Sequence, residues 1–341
     1  MSPGSGSDSI PPSSGEHGCP SSSARSPRRT PSRSMTPRPR HPETEIDGVL
    51  LVDKPAGWTS HDVVAKVRRL SGQRRVGHTG TLDPNATGLL VLCLGRATRL
   101  AEFMTALPKT YEGEIALGVR TDTDDADGRI VERRPVAPLD DGRLRELEKA
   151  FTGELLQRPP AYSAVKVDGE RSYALARRGE AVELPPRLVT VYELRLRQLA
   201  PDRLGINVRC SAGCYVRALA RDIGEALGCG AHLASLARTQ VGVFRLTQAY
   251  TLEQLAAASE EGRFAELVLP PDEGVASYDA AIVTPARAWR LAHGELIGPS
   301  PKPWRPSELA RLYNTRGEFV GMGRVLETGH IRPLKVFAER H

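Results

Sequence analysis

The twelve residues from Gly77 to Gly88 concentrate the residue types found in active-site loops. They run Gly-His-Thr-Gly-Thr-Leu-Asp-Pro-Asn-Ala-Thr-Gly, with three glycines, three threonines and one proline. Tightly shaped loops of this kind carry function more often than packing. Asp83 is the one carboxylate in the loop and could do nucleophilic or proton-transfer chemistry. Composition alone favours the plainer interpretation, a turn residue that accepts local N–H bonds, and it leaves His78 equally open.

A second candidate segment, Cys210–Gly224, predicts a strand, a glycine turn and the start of a helix. Arg217 falls in the first turn of that helix. A guanidinium there can pair bidentately with a carboxylate or a phosphate. An ordinary surface arginine is the competing interpretation, and the segment taken alone favours it.

Other familiar sites are absent from the sequence. No Gly-x-x-x-x-Gly-Lys occurs and no Gly-x-Gly-x-x-Gly follows a predicted strand, so nucleoside triphosphate and dinucleotide sites lack their loops. The acidic run Asp122–Gly128 has Asp127 where a calcium loop needs glycine, so we predict a solvated hairpin turn there. A hydrolytic triad lacks a nucleophile elbow, and a glycosidase lacks a second acid. Five cysteines form no Cys-x-x-Cys pair, which predicts free thiols without a zinc site or disulfides.

The N-terminal tail differs in composition from the rest of the 341 residues. Its first 42 residues hold 12 Ser, 9 Pro and 6 Arg against two acidic residues. Such a segment buries too little apolar surface to fold, so we predict that residues 1–43 are disordered. A transit peptide and a start at Met35 are alternative interpretations. The tail supplies +4 of the formal charge of +6, so bulk charge does not argue for a nucleic-acid partner. The absence of a membrane-spanning apolar stretch or a secretory leader predicts a cytoplasmic protein.

Hydrophobic periodicity and turn residues predict the elements that must position these loops. Strands are predicted at Gly48–Asp53, Leu89–Leu94, Lys109–Val119, Val189–Arg197 and Gly205–Cys210. Helices are predicted at Ser60–Leu70, with Ser60 as N-cap, and at Ala97–Ala106, Asp140–Phe151, Ala174–Arg178 and Tyr215–Leu227. Pro270–Gly274 is predicted to be a linker before a small β-rich segment. Strands and helices alternate without a regular βαβ rhythm, which favours an α+β fold.

Six motifs occur one after another along the chain between Lys54 and Phe244. They are Lys54-Pro55-x-Gly57-x-Thr59-Ser60, the Asp83 loop, Lys109-x-Tyr111, Pro159-Pro-Ala-Tyr-Ser-Ala-Val-Lys166, Cys210-Ser-x-Gly-x-Tyr215-x-Arg217 and Arg238-Thr-x-Val-Gly-x-Phe244. Together they closely resemble the TruB family of tRNA pseudouridine synthases, from about Asp47 to Phe244. The Asp83 loop is the most specific part, and Cys214 stands where the family usually has Thr. Beyond about residue 280 the resemblance is weak, and a PUA-like module is expected because such enzymes commonly end in one.

The resemblance implies a fold and an activity. The fold is α+β, with the mixed, mainly antiparallel sheet and flanking helices of the pseudouridine synthase fold. A catalytic domain is expected at residues 44–275 and a PUA-like RNA-binding module at 280–341. The implied activity converts uridine-55 in the T arm of tRNA to pseudouridine by cleaving the glycosidic bond, rotating the flipped-out base and rejoining it through C5. No cofactor, metal or protein partner is expected, and the chain is expected to act on tRNA as a monomer.

The resemblance also implies roles for individual residues. Asp83 is expected to attack or deprotonate the sugar, and Arg217 to keep Asp83 charged by pairing with it. Tyr111 is expected to stack on the base and help remove the C5 proton. The expected substrate-binding residues are His78, which fills the space left by the flipped base, together with Tyr215, Lys54, Pro55 and Leu236. The arginine pairs 68/69, 74/75 and 177/178 are candidates for RNA backbone contacts, with solvated helix ends as the alternative.

Two other functions are compatible with the same motifs. A catalytically silent RNA-binding relative would have no need of Asp83, Tyr111 and Arg217, all of which are present. A guide-RNA-dependent synthase of the related archaeal and eukaryotic type would need partner proteins. A small-molecule enzyme is a distant third, because the chain lacks a nucleotide loop.

Overall fold

The structure is a computed structural model that describes residues 45–162, 184–298 and 303–337, with the short stretches 166–167 and 170–171 and residue 178. The predicted tail at 1–43 and the predicted helix at 174–178, apart from residue 178, lie outside the described residues. No helix in the described part of the chain is long and apolar enough to cross a membrane.

Strands and helices alternate along the described chain, as predicted for an α+β fold. The strands are β1 (Gly48–Lys54), β2 (Val76–His78), β3 (Thr87–Leu94), β4 (Lys109–Leu117), β5 (Val119–Thr121), β6 (Ile130–Arg133), β7 (Gly153–Gln157), β8 (Lys166–Val167), β9 (Glu170–Arg171), β10 (Arg187–Ala200), β11 (Arg203–Cys210), β12 (Ala231–Val241), β13 (Phe244–Arg245), β14 (Asp279–Val283), β15 (Leu309–Asn314), β16 (Phe319–Val325) and β17 (Ile331–Val336). The α-helices are α1 (Ser60–Ser71), α2 (Ala101–Thr105), α3 (Asp141–Ala150), α4 (Val216–Ala226), α5 (Leu252–Glu260) and α6 (Pro285–Ala292). Turns of 3₁₀ helix lie at Gly95–Leu100, Leu246–Gln248, Phe264–Leu267 and Pro271–Val275.

The larger sheet has the strand order β1-β3-β12-β4-β11-β10-β7, with β2 added to β3 and β13 added to β12. Its neighbouring strands are antiparallel except β3 and β12, which are parallel. The mixed, mainly antiparallel sheet is therefore as predicted. The parallel contact places Gly88, at the end of the Asp83 loop, opposite Arg238.

Several predicted elements are present with shifted ends. The strand predicted from Leu89 begins at Thr87, and β2 occupies the start of the segment predicted as loop. The strand predicted to continue to Val119 breaks at Gly118, whose φ of +77° favours glycine. The first part of the helix predicted at 97–106 is 3₁₀, and α2 follows it.

The N-terminus of α1 begins with a capping box that the sequence prediction misplaced by one residue. Thr59, not Ser60, is the N-cap: its hydroxyl accepts from Asp62 N at 3.1 Å, and Asp62 Oδ2 accepts from Thr59 N at 2.9 Å. Ser60 is the first helical residue and is buried. Its hydroxyl is therefore free to make a tertiary contact.

The central strands β1 and β3 are buried on both faces. Alternate residues of a strand point to opposite sides of the sheet, so Leu89 and Val91 join one hydrophobic cluster and Leu90 and Leu92 join another. This arrangement explains why these strands are continuous apolar runs rather than alternating ones. A third cluster lies between the β4-β11-β10 part of the sheet and helices α3 and α4.

A smaller sheet has the order β14-β15-β16-β17 and packs with α6 around its own core. It also contributes to a core cluster of the larger sheet, since Met322 and Phe337 are buried beside Val49 and Met104. The contact continues at the surface, where Lys335 Nζ lies 2.8 Å from Glu102 Oε1. The two sheets thus share apolar surface, while the domain boundaries 44–275 and 280–341 stay a prediction.

The linker prediction for Pro270–Gly274 is wrong. Residues Pro271–Val275 form a 3₁₀ turn, and Val275 is fully buried. A Cβ on Gly274 would lie 2.5 Å from Met104 Cε, so the turn packs tightly against the core of the larger sheet. The proline pair and glycine here shape a packed turn instead of a flexible connection.

Met322 offers a test of the shared core. Replacing it by alanine should lower the free energy of unfolding by about 2–5 kcal/mol, because its side chain is fully buried between the two sheets. Met322→Leu keeps the volume and should cost less than about 1.5 kcal/mol. Urea unfolding followed by circular dichroism measures both values. Equal stability of Met322→Ala and the wild type would contradict the shared core.

Candidate active site

The Asp83 loop, residues 79–86, joins β2 to β3. Backbone hydrogen bonds close it at both ends, from Thr79 N to Val91 O at 3.0 Å and from Ala86 N to Asp83 O at 3.1 Å. The backbone carbonyl of Asp83, and not its carboxylate, closes the turn. The side chain is therefore available for contacts outside the loop, which removes the main argument for Asp83 as a simple turn residue.

Lys54 fixes the residue that follows Asp83. Its side chain is fully buried, and Nζ donates to Pro55 O at 2.9 Å, Trp58 O at 2.7 Å and Pro84 O at 2.8 Å. An ammonium has three N–H bonds, so all of its donors are used. Lys54 therefore positions the loop, and its expected contact with substrate stays a prediction. Burial lowers the pKa of Lys54 to about 8, and the charge of Asp83 opposes that shift.

Ser60 and Arg238 hold the rest of the loop. Ser60 Oγ accepts from Leu82 N at 2.9 Å and donates to Leu82 O at 3.2 Å. Arg238, only 1% exposed, donates from Nη2 to Gly80 O at 3.0 Å and from Nε to Leu89 O at 2.7 Å. The sequence did not predict that either residue holds the loop. It indicated a helix cap for Ser60, and it showed Arg238 only as the first residue of the Arg238–Phe244 motif.

Arg217 brings its guanidinium from α4 to the Asp83 carboxylate. Nε lies 2.9 Å from Oδ2 and Nη2 lies 3.3 Å from Oδ1, which is the bidentate geometry expected of arginine with a carboxylate. The Arg217 side chain is 7% exposed, whereas that of Asp83 is 42% exposed. The contact predicted from the resemblance is present, and the surface-arginine alternative is excluded.

The same guanidinium is held from its other side. Nη1 donates to Thr123 O at 3.0 Å and to Asp125 Oδ2 at 3.1 Å, and Nη2 donates to Tyr162 O at 3.1 Å. Arg217 is therefore fixed by four partners, and its orientation does not depend on Asp83 alone. A fixed cation of this kind can hold a carboxylate in one orientation.

The acidic run between β5 and β6 is a hairpin turn, as predicted, but two of its carboxylates, Asp124 and Asp125, are largely buried in ion pairs instead of solvated. Asp125 pairs with Arg217, and Asp124 lies 2.8 Å from Arg221 Nη1 one helical turn further along α4. The side chains of Asp124 and Asp125 are 14% and 19% exposed. Sequence reasoning missed these positioning contacts, since nothing local indicates which distant arginines a carboxylate will meet.

The pKa of Asp83 reflects opposing influences. Desolvation raises it above its ordinary range and the Arg217 charge lowers it, while Asp125 and Asp127 raise it further. The net direction is upward. Arg217 is thus the group that most strongly favours the ionised form of Asp83 against its surroundings.

Tyr111 and Leu236 lie on neighbouring strands, β4 and β12. Both are partly buried and pack against the same two hydrophobic clusters. The strands approach closely here, since a Cβ on Gly113 would lie 2.3 Å from Ser235 O. Burial raises the pKa of the Tyr111 hydroxyl, so the phenol is protonated at neutral pH.

His78 ends β2 and is partly buried. Its ring meets that of His61 edge-on, with centroids 5.4 Å apart. Desolvation, followed by the His61 charge, lowers the pKa of His78, so its imidazole is neutral at neutral pH. Within the described residues, the buried Nδ1 atom of His78 has no hydrogen-bond partner.

The remaining predicted residues, Tyr215 and Pro55, lie at turns. Tyr215 is the N-cap residue of α4, and its backbone N–H donates to Gln157 Oε1 at 2.8 Å. Gln157 returns a bond from Nε2 to Tyr215 O at 3.1 Å, which fixes the start of the helix that carries Arg217. Pro55 is exposed in the turn after β1. Their contacts with a substrate stay predictions.

The Asp83 carboxylate opens into a cleft. Three of the predicted residues, Asp83, Arg217 and Leu236, line it together with Asn85, Ala86, Asp125, Ala126, Asp127, Leu233, Ala234 and Ser235. Tyr111, His78, Lys54, Pro55 and Tyr215 are not among those lining residues. The cleft thus presents the Asp83 carboxylate, a fixed guanidinium and an apolar wall. Such a site can carry out nucleophilic or proton-transfer chemistry on a ligand that fits against Leu236.

Chains in two solved complexes share this fold. The chain matches one chain of a Cbf5-Nop10-Gar1 complex with a TM-score of 0.69 and 26% identity, covering 86% of this chain and 85% of that one. It also matches a chain of an H/ACA RNP bound to a substrate RNA containing 2′-deoxyuridine, with a TM-score of 0.68, 24% identity and 86% of each chain covered.

Three family models match consecutive parts of the chain. The TruB family pseudouridylate synthase N-terminal domain covers residues 68–216, the tRNA pseudouridylate synthase B C-terminal domain covers 217–276, and the pseudouridine synthase II TruB C-terminal model covers 280–337. Fold, cleft and models together define a pseudouridine synthase.

Curated relatives indicate which kind of pseudouridine synthase the chain is similar to. The tRNA pseudouridine synthase B of Thermobifida fusca is 45% identical over 306 residues, which is 86% of this chain and 99% of the relative. That of an Arthrobacter species is 44% identical over 301 residues, with 86% and 97% covered. The chain belongs to the TruB family.

Ser60 tests whether the loop must be held from α1. Ser60→Ala leaves the buried N–H and C=O of Leu82 without their partner, so we expect the unfolding free energy to fall by about 1–3 kcal/mol. We also expect kcat to fall while the affinity for RNA changes little. Ser71→Ala is the matched control on the same helix, because its hydroxyl only supplements the helix carbonyl of Val67. Equal effects of the two changes on kcat would contradict the positioning role of Ser60.

Proposed function

We propose that the protein converts uridine-55 in the T arm of tRNA to pseudouridine and that it acts alone. The observation that carries the proposal is the bidentate Arg217–Asp83 ion pair at the cleft, on a loop locked by Lys54, Ser60 and Arg238. Family membership and the curated relatives support tRNA as the substrate. The choice of position 55 follows from the sequence resemblance.

The reaction is an isomerisation without net oxidation. The bond from uracil N1 to ribose C1′ breaks, the base rotates, and a bond from C5 to C1′ forms. The C5 proton leaves and N1 ends with a proton, so atoms and electrons balance without a cofactor. In this proposal the Asp83 carboxylate starts the sequence by attacking C1′ or by removing a proton from the sugar.

Arg217 serves this step in two ways. Its two N–H bonds to the carboxylate fix the direction from which Asp83 meets the sugar. Its charge also counteracts desolvation and so favours the ionised form of the carboxylate. Asp125 positions Arg217, and we assign it no contact with substrate.

The target base must leave its stack before it reaches Asp83. Base-acting enzymes offset that cost with a close-fitting pocket and stacking. We propose that Leu236 and Tyr111 form one wall for the base and that the neutral His78 ring fills the space it leaves. The raised pKa of Tyr111 supports a stacking role and argues against a phenolate that removes the C5 proton.

A partner-dependent synthase is the second candidate. The solved complexes that share the fold contain Nop10 and Gar1 or substrate RNA in an H/ACA particle. We favour independent action as a cytoplasmic monomer, because the chain covers nearly all of relatives named for tRNA modification. We also propose that residues 44–275 form the catalytic domain and residues 280–341 an RNA-binding module.

Tritium release from C5-labelled uridine in a tRNA transcript tests the proposal directly. Purified protein without partner or cofactor should release tritium in proportion to the uridine converted. Asp83→Asn should abolish release and leave tRNA affinity within several-fold, because the amide cannot act as nucleophile or base. Asp127→Asn is the matched control, since Asp127 lines the same cleft. Full activity of Asp83→Asn would refute its role, and inactivity of the wild type without partners would favour the second candidate.

The pH dependence of Arg217→Lys tests the ion pair. A carboxylate that loses part of its fixed positive neighbour has a higher pKa, and activity falls as pH drops through that pKa. We therefore expect the acid limb of kcat to move to higher pH. A hydrogen bond to a charged group is worth about 1.5–3 kcal/mol, so kcat at neutral pH should fall about 10- to 150-fold. Arg221→Lys, on the same helix but paired with Asp124, should keep the wild-type acid limb. An unshifted limb in Arg217→Lys would contradict the mechanism.

A further inference from the structure

A groove beside the Asp83 loop is lined by residues to which the proposed reaction assigns no role. It lies between α1 and the turn that precedes this helix, and it encloses about 320 Å³. That volume lies in the range of small-ligand sites. We call it the Trp58 groove, and its lining residues are Gly57, Trp58, Asp62, Ala65, Lys66 and Arg69.

The spacing of these residues puts them on one face of α1. Asp62, Lys66 and Arg69 lie at i, i+4 and i+7, opposite the buried face formed by Val63 and Val67. Ala65, on the same outer face, carries a small side chain that leaves room above the helix. The outer face of α1 is thus a shaped surface with two cations.

Trp58 provides an aromatic wall whose backbone is held in place. Its carbonyl accepts from the buried ammonium of Lys54 at 2.7 Å, and the preceding Gly57 N donates to Pro84 O at 2.9 Å. The side chain is nevertheless 36% exposed, although tryptophan is usually more buried. Because Pro84 follows Asp83 directly, the wall is hydrogen-bonded to the catalytic loop.

The groove has an excess of positive charge. Lys66 and Arg69 form no ion pair with any residue in the described ranges, and Glu253 of α5, an acid outside the lining, interacts electrostatically with Lys66. The one acid in the lining, Asp62, already accepts from the N–H and hydroxyl of Thr59 through Oδ2. Arg74 and Arg75 are exposed just beyond the end of α1 and extend the basic surface. A phosphate group would meet two available cations here.

We propose that the Trp58 groove binds an unpaired nucleotide of the substrate RNA, distinct from the uridine that reacts. The base stacks on Trp58, and the phosphate pairs with Lys66 and Arg69. Aromatic stacking platforms flanked by basic residues are the usual way in which proteins hold single-stranded RNA. The proposal rests on the proposed function for its choice of RNA, and the hydrogen bond to Pro84 makes the groove continuous with the catalytic loop.

Binding of a T-arm hairpin transcript to Asp83→Asn protein tests the groove without turnover. In that background Trp58→Leu should weaken binding about tenfold or more, since stacking on an aromatic side chain contributes about 1–3 kcal/mol per base. Trp58→Phe retains an aromatic ring, so its affinity for the hairpin should stay within about threefold of that of the Asp83→Asn protein. RNA should quench the tryptophan fluorescence, and most of this quenching should be lost in Trp58→Phe.

A second groove supplies matched controls. It lies between α3 and β10 and also offers one exposed aromatic residue, Tyr192, and two cations on a helix, Arg145 and Lys149. Lys66→Ala with Arg69→Ala should lower the slope of log affinity against log salt by about 0.7, the value for one single-stranded phosphate contact. Arg145→Ala with Lys149→Ala should leave this slope unchanged. Tyr192→Leu should bind the hairpin with the same affinity as the Asp83→Asn protein.

The outcomes separate this inference from the proposed function. Normal tritium release by the wild type with unweakened binding by Trp58→Leu overturns the groove alone. Equal salt slopes for the two double variants also overturn it, because binding then depends only on total charge. Absent tritium release with retained quenching of Trp58 by the hairpin supports the groove and refutes the function.

Discussion

The ion pair between Asp83 and Arg217 is the contact on which the rest of the site depends. It joins a loop near the start of the sheet to a helix 134 residues further along the chain. A partly desolvated carboxylate is costly unless a cation faces it, and a guanidinium fixes direction as well as charge. The larger sheet, α4 and the β5–β6 hairpin can be understood as the frame that holds these two groups 2.9 Å apart.

Buried cations also hold loops in position by donating hydrogen bonds to their backbone carbonyls. Lys54 and Arg238 donate to backbone carbonyls of the Asp83 loop, and Arg217 donates to two carbonyls of other loops. A loop has few backbone partners of its own, so side chains must satisfy its carbonyls if it is to be rigid and close to the core. The cost of burying each charge is offset by complete hydrogen bonding. The resulting loop is irregular in backbone and fixed in position.

The geometry also connects the proposed catalytic residue with the proposed RNA-binding groove. The turn at Gly57 and Trp58 is hydrogen-bonded to Pro84, so the Asp83 carboxylate and the wall of the Trp58 groove lie on directly linked segments. A nucleotide held there would have a fixed position relative to Asp83, because the two segments are directly hydrogen-bonded. The smaller sheet is joined to the same body through Met322 and Phe337.

The sequence by itself determined the α+β class and most strand and helix positions, because periodicity and turn chemistry are local properties. Its resemblance to a known family, and not these local properties, singled out the Asp83 loop as the candidate site. It placed Ser60 as the N-cap, Asp124 and Asp125 of the acidic hairpin in solvent and Pro270–Gly274 in a linker, and each of these predictions was wrong. Those assignments depend on which distant groups a side chain meets. Only the tertiary structure decides which groups meet. Strand pairing and core packing bring together distant residues, and the local sequence around one residue does not indicate the other.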